Sequence, residues 1–271
     1  MSAIDVHVHP TTPEVVDYYP DWFWKTPKER FGMETHAFDL DDLLRDMDTA
    51  GVELSVLLGF DCTTAYGWKI PNEAIAELVA RHPDRLAGFA SVDPLRGDEA
   101  ASDLEFAIRE LGMKGLKLHP PTQHFYPDDP KVEPVWAKAE ELGIPVLLHV
   151  GQTFAGGYVK YAQPVNVDAV AADHPDLVIM LAHFGFPWTE EVISLAWTRP
   201  NVWIELSGWL PRYIPPTIWR FSRTMFADRT VFGTDYPGIK PQQWIHDFEE
   251  IDLKPEVKQK ILHENVRRLL K

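Results

Sequence analysis

The stretch Ala3–His9, AIDVHVH, followed at once by Pro10, decides how the chain is read. It is short, β-branched and apolar on both parities, as a strand covered on both faces should be. It ends in histidine and proline, where an open sheet that binds a dinucleotide would carry a glycine-rich turn. Seven similar runs follow: Val52–Gly59, Leu86–Val92, Gly115–His119, Pro145–Val150, Leu177–Ala182, Val202–Ser207 and Thr230–Asp235. Segments of helical period alternate with them at Leu40–Ala50, Asn72–His82, Glu99–Leu111, Val132–Leu142, Val165–His174, Thr189–Trp197, Pro215–Phe226 and Pro255–Leu270. Asp39 offers an N-cap to the first helix, and Gly51, Gly112 and Gly143 stand where three helices should stop. Eight strand–helix units in 271 residues predict an α/β fold, a (β/α)8 barrel forming one domain over 1–271.

Working outward, Pro10–Phe38 is far longer than the roughly two to six residues of an ordinary βα connection. It carries Tyr18, Tyr19, Trp22, Phe23, Trp24 and Phe31. An aromatic insertion of this kind at a barrel mouth is expected to be a lid or substrate wall, with Trp22 and Trp24 touching the substrate.

Composition excludes several functions. With 26 Lys+Arg against 41 Asp+Glu the net charge is −15, which argues against nucleic acid or an anionic membrane as partner. Cys62 is the single cysteine, so no intrachain disulfide can form, and a reducing compartment is expected. MSAIDVHVHP does not read as a secretory signal, and no run approaches the roughly 18 apolar residues of a membrane helix. The expectation is a cytoplasmic protein acting on a small molecule, with Trp-rich loops compatible with a homodimer.

The chemistry lies in the 11 histidines. His7 and His9 close the first strand and share a face through their two-residue spacing. His119, His149, His183 and Asp235 end the fourth, fifth, sixth and eighth runs, on the rim where barrel enzymes build active sites. Imidazoles and a carboxylate converging on one point suit a first-row transition metal. His36, His82, His124, His174, His246 and His263 fall elsewhere and carry no assigned chemistry.

The motifs DVHVH, PVLLHVG, LAHFG and FGTDYP, in that order, resemble the amidohydrolase superfamily from Asp5 to Pro237. The branch indicated is the "amidohydrolase 2" group, which includes amino-carboxymuconate-semialdehyde decarboxylase and related hydrolases and lyases. The resemblance implies that His7, His9, His149 and Asp235 hold one metal ion, zinc first and manganese or another divalent ion as the alternative. It also implies that Asp235 shuttles a proton and that His183 polarises or protonates the reacting group. Lys117 shares the inward face one layer below His119. It is either a carboxylated bridge between two metals or a buried ion paired with Asp5 or Glu205. His119, Gln152, Trp209 and Arg212 are further candidate substrate contacts, Arg212 as partner for a carboxylate. Cys62 is expected to be inert.

Two reactions fit this set. The first expectation is hydrolysis of a small cyclic or aromatic ester, lactone or amide by activated water. The alternative is non-oxidative decarboxylation of a small aromatic or unsaturated acid. It ranks second because the chain is short for such decarboxylases and lacks an arginine cluster.

Overall fold

The computed structural model describes residues 2–32 and 38–270, with Arg30 and Phe31 described in their backbone only. Its main sheet has eight parallel strands: β1 (Ala3–Val8), β2 (Val52–Leu58), β3 (Leu86–Ala90), β4 (Gly115–Leu118), β5 (Val146–Leu148), β6 (Ile179–Leu181), β7 (Val202–Glu205) and β8 (Thr230–Val231). Each pairs with the next in sequence. Past the end of β8 the chain returns to β1: the His9 amide donates to the Tyr236 carbonyl at 2.8 Å, and the Asp235 amide donates to the His7 carbonyl at 2.9 Å. The expected (β/α)8 barrel is therefore present, closed along a seam between its first and last strands.

The strands are shorter than the apolar runs that encode them. His119, His149, His183 and Asp235 lie just past the strand ends, where the backbone leaves the sheet. His183 and Asp235 hold positive φ values of 57° and 65°. That left-handed conformation is uncommon for residues with a Cβ and tends to gather at functional sites.

Ile4, Val6, Val56, Leu58, Phe89, Leu147, Met180, Trp203 and Val231 pack together as one cluster, while the opposite faces of the strands pack against the helices. One irregularity determines which side chains reach the centre. Asp5 pairs with Ser55 and Val8 with Leu57, so β1 holds one residue more than β2 across that step. Such a bulge shifts the alternation. Val6 packs with Ile4 in the first cluster, Val8 joins the helix-facing one, and the His7 and His9 rings meet with Nε2 atoms 3.3 Å apart.

The covering helices are Leu40–Ala50, Asn72–Arg81, Asp98–Arg109, Glu133–Glu141, Asp168–Asp173, Thr189–Thr198 and Pro216–Ser222. Asp39 and Asp42 form a capping box on the first, and Gly51 ends it at φ 71°. Helix Pro241–Glu249 was not among those expected; it buries Trp244 and Phe248 on one side. The C-terminal helical segment is interrupted by a wide turn at Lys260–Glu264, after which Val266 packs against the cluster containing Ile4 and Val6. The Pro10–Phe38 insertion is largely helical, with helices Pro13–Val16 and Asp21–Phe31. The Phe31 side chain and His36 lie outside the described residues. No helix among the described residues is long and apolar enough to cross a membrane.

Candidate active site

Three donor atoms from the two ends of the chain form a triangle. His7 Nε2 lies 3.3 Å from His9 Nε2 and 3.5 Å from Asp235 Oδ1, and His9 Nε2 lies 3.2 Å from the same oxygen. An ion with bonds of about 2.1 Å separates neighbouring donors by about 3.0–3.4 Å, so the triangle has the size of one face of a coordination shell. The His9 Nδ1 atom is buried with no hydrogen-bond partner. Two imidazoles and a carboxylate are suitable donors for zinc or manganese. The residues present fit a divalent ion.

Buried groups surround this triangle. Lys117 Nζ is 3.2 Å from His7 Nε2, and Glu205 Oε2 is 3.4 Å from His7 Nδ1. Glu205 accepts from the Ser207 amide at 2.9 Å and from the Ser207 hydroxyl at 2.8 Å. Asp5 bonds to Thr234 and to the His7 amide, so it braces the β1–β8 seam. His149 is joined to His183 through an Nδ1–Nε2 contact of 3.1 Å, and its Nε2 lies 3.1 Å from the Gln152 carbonyl. His149 thus adjoins the triangle's neighbourhood through His183, while its place as fourth ligand is carried by the family resemblance. His119 stacks on His149 with ring centroids 3.9 Å apart.

The electrostatics favour neutral rings facing one anionic carboxylate. Burial, helped by the positive charge of Lys117, holds the His7 and His119 imidazoles well below their usual pKa. Burial and the neighbouring His119 do the same to His149. Burial works against the charge of Asp235, but the hydrogen bond to His9 and the attraction of His7 and His183 outweigh it. Its carboxyl is held well below the ordinary carboxylate range. Burial pushes Lys117 down to about 8, against the upward pull of Asp235 and Glu205.

Beside the triangle a cavity of about 360 Å³ opens. His9, His119, His149, His183 and Asp235 line it, with Trp24, Gln152 and Trp209 as expected substrate contacts. Tyr19, Phe23, Phe60, Phe154 and Phe186 complete an aromatic wall. Phe60, Phe154 and Phe186 went unnoticed in the sequence, although each stands within a few residues of a strand end on a βα loop, which is the available signal.

Two expected contacts lie away from this cavity. Trp22 lies outside the cavity lining, 38 % exposed, packing on Tyr66 with centroids 4.6 Å apart. Arg212 is held in a bidentate pair with Asp247 and likewise does not line the cavity. Asp247 belongs to helix Pro241–Glu249, which lies outside the eight helical segments expected from the sequence. Lys117 is fully enclosed beneath the lining. Cys62 is buried, and burial followed by Asp61 and Asp93 raises its thiol pKa, in keeping with an inert side chain.

The amidohydrolase 2 family model, described as amidohydrolase, matches residues 4–271. The chain belongs to the amidohydrolase family. Among curated proteins this amidohydrolase is 24% identical to a gamma-resorcylate decarboxylase from Rhizobium sp. (strain MTP-10005), over 99% of this chain and 97% of that one. The alignment runs over 336 positions, more than the 271 residues here, so the relative carries segments that this amidohydrolase lacks. Among solved structures it is similar to an uncharacterised TIM-barrel protein from Bordetella bronchiseptica (TM-score 0.86, 27% identity, covering 100% and 98% of the two chains). It is also similar to a dihydroxybenzoic acid decarboxylase from Polaromonas sp. JS666 with bound manganese and the inhibitor 2-nitroresorcinol (TM-score 0.72, 23% identity, covering 99% and 96%).

Proposed function

We propose that this amidohydrolase is a metal-dependent, non-oxidative decarboxylase of a small aromatic carboxylic acid. The full-length similarity to gamma-resorcylate decarboxylase carries the proposal. It reverses the order expected from sequence, in which hydrolysis stood first. The cavity supports it: Trp24, Phe60, Phe186 and Trp209 suit a flat ring, and stacking of that kind adds about 0.5–1.5 kcal/mol per aromatic pair beyond simple burial.

In the overall reaction the ring–carboxylate bond breaks, carbon dioxide leaves, and the electron pair left on the ring carbon takes up a proton. His7, His9 and Asp235, with His149 as further ligand, would hold a zinc or manganese ion, which when bound would supply positive charge to anchor and polarise the anionic substrate. The aromatic wall orients the ring and keeps water from it. Asp235 is ionised at rest, so it accepts a proton from solvent and passes it to the ring carbon as carbon dioxide leaves. His183 Nε2, on the cavity wall beside His149, offers a second station for that proton. With Arg212 paired to Asp247, Lys117 is a cation that stands beside the triangle, 3.2 Å from His7 Nε2.

The test is to incubate metal-loaded protein with 2,6-dihydroxybenzoate and other hydroxybenzoates, measuring carbon dioxide and loss of substrate absorbance. A parallel panel of aryl esters and lactones covers hydrolysis. Decarboxylation of at least one acid, abolished in Asp235→Asn, is the expected result. Ester or lactone turnover without carbon dioxide release would overturn the proposal in favour of the hydrolase.

A further inference from the structure

Ser207 stands at the junction of the two histidines whose protonation matters most. Its hydroxyl oxygen lies 2.9 Å from His7 Nδ1, 3.1 Å from His183 Nδ1 and 2.8 Å from Glu205 Oε2. All four residues are enclosed, Ser207 and Glu205 with no exposed surface. A hydroxyl has one proton and two lone pairs, so three partners use its whole capacity. Both Glu205 oxygens accept backbone amides, Oε1 from Ser207 and Oε2 from His183, so the hydroxyl proton goes to Oε2. The two lone pairs then receive N–H from both rings.

We infer that Ser207 is a positioning residue: it holds a proton on Nδ1 of both His7 and His183, which turns the His7 Nε2 lone pair toward the donor triangle and keeps His183 Nε2 facing His149 Nδ1. An independent contact agrees at each ring. The Lys117 ammonium donates to His7 Nε2, which must then carry a lone pair. The Ser207 backbone carbonyl, 3.1 Å from His183 Nδ1, can only accept, so that nitrogen must carry the proton. Two neighbouring glycines make room for the cluster. A Cβ at Gly233 would collide with Glu205 Oε1, and one at Gly208 would come within 2.7 Å of His183 Nδ1. Loop β7 thereby couples a metal-ligating ring to a proton-handling ring through one oxygen atom. A group that fixes a ligand's tautomer is worth about 10- to 100-fold in metal affinity.

The inference rests on the reading of His7 as a ligand and His183 as a proton station, but its test is separable from that reading. Nitrogen-15 NMR of the histidine rings in metal-free protein, without substrate, distinguishes Nδ1–H from Nε2–H, and zinc competition titration measures affinity. Wild type is expected to show Nδ1–H at both rings. Ser207→Ala should lose about tenfold or more in zinc affinity and allow the other tautomer at His183 or His7, and Ser207→Thr, which keeps the hydroxyl, should restore both readouts. Glu205→Gln offers a second variant: an amide donating to the hydroxyl reverses its direction and favours Nε2–H at His7. An Nδ1 without its proton at either ring of wild type would overturn the inference, whatever reaction is catalysed. So would a folded Ser207→Ala protein with unchanged tautomers and zinc affinity. Failure to decarboxylate any acid, with the tautomers as stated, would count against the proposed function alone.

Discussion

Trp24 and Arg212 were both candidate substrate contacts, and the surroundings of each now separate them. Trp24 is 5 % exposed on the cavity wall, so Trp24→Ala removes an aromatic surface that a flat substrate would cover. Its KM should rise about tenfold, corresponding to about 1.4 kcal/mol, with a smaller change in kcat. Arg212 spends its guanidinium on Asp247, and Arg212→Ala should leave kcat/KM within about twofold of wild type. Steady-state kinetics on the first acid found to be turned over checks both; a collapse of activity in Arg212→Ala would return it to the site. The histidines and Asp235 were legible in the sequence because ligand chemistry is restrictive and strand ends are easy to locate. The fates of Trp22 and Arg212 were not, because long side chains choose partners by tertiary proximity. The asparagine, glutamine and aspartate positions that offer such partners carry no local mark.

Among the elements, the apolar runs showed all eight strands, yet two features stayed hidden. The bulge in β1 is a matter of register between strands, and AIDVHVH reads the same with or without it. Helix Pro241–Glu249 did have a signal: Pro241 at its start and Trp244 and Phe248 one turn apart. It is surplus to the alternation, because eight strands and eight helical segments already complete a (β/α)8 pattern without it. One element-level contact predicts a pH effect. His174 follows helix Asp168–Asp173 and touches Glu140 at 3.0 Å and Glu133 at 3.2 Å, both on helix Glu133–Glu141. Burial opposes its charge, but the hydrogen bonds and attraction of Glu140 and Glu133 prevail and raise its pKa. A raised histidine stabilises the fold fully below the unfolded value near 6.5 and loses that contribution as pH rises through its folded value. The urea midpoint of wild type should therefore fall between pH 6 and 8.5 by more than that of His174→Asn. Parallel pH curves would show that the two glutamates leave the stability contribution of His174 unaffected.

For the whole molecule, the decisive number is metal per chain. Protein purified without chelator or metal resin should contain about one divalent ion per chain, lost in His7→Ala. Two ions would point to a carboxylated Lys117, which lies 3.2 Å from His7 Nε2. A ligand that binds only the folded state at about 100 times its Kd stabilises by about 2.7 kcal/mol. For a chain of this size, chelation should then lower Tm by about 5–10 °C, restored by zinc or manganese. An unchanged Tm and retained activity after complete metal removal would contradict the proposed chemistry.

The seam between β1 and β8 has a further consequence, for biosynthesis. His7 and His9 leave the ribosome well before Asp235, yet all three meet at one point. A nascent chain carries the imidazole pair without its carboxylate until the other seven strands have been made. Capturing an ion there closes a loop from β1 through β8, so metallation and closure of the barrel are coupled. A chain truncated before Thr230 would therefore lack its last strand and a site able to hold an ion, however well its earlier units had formed.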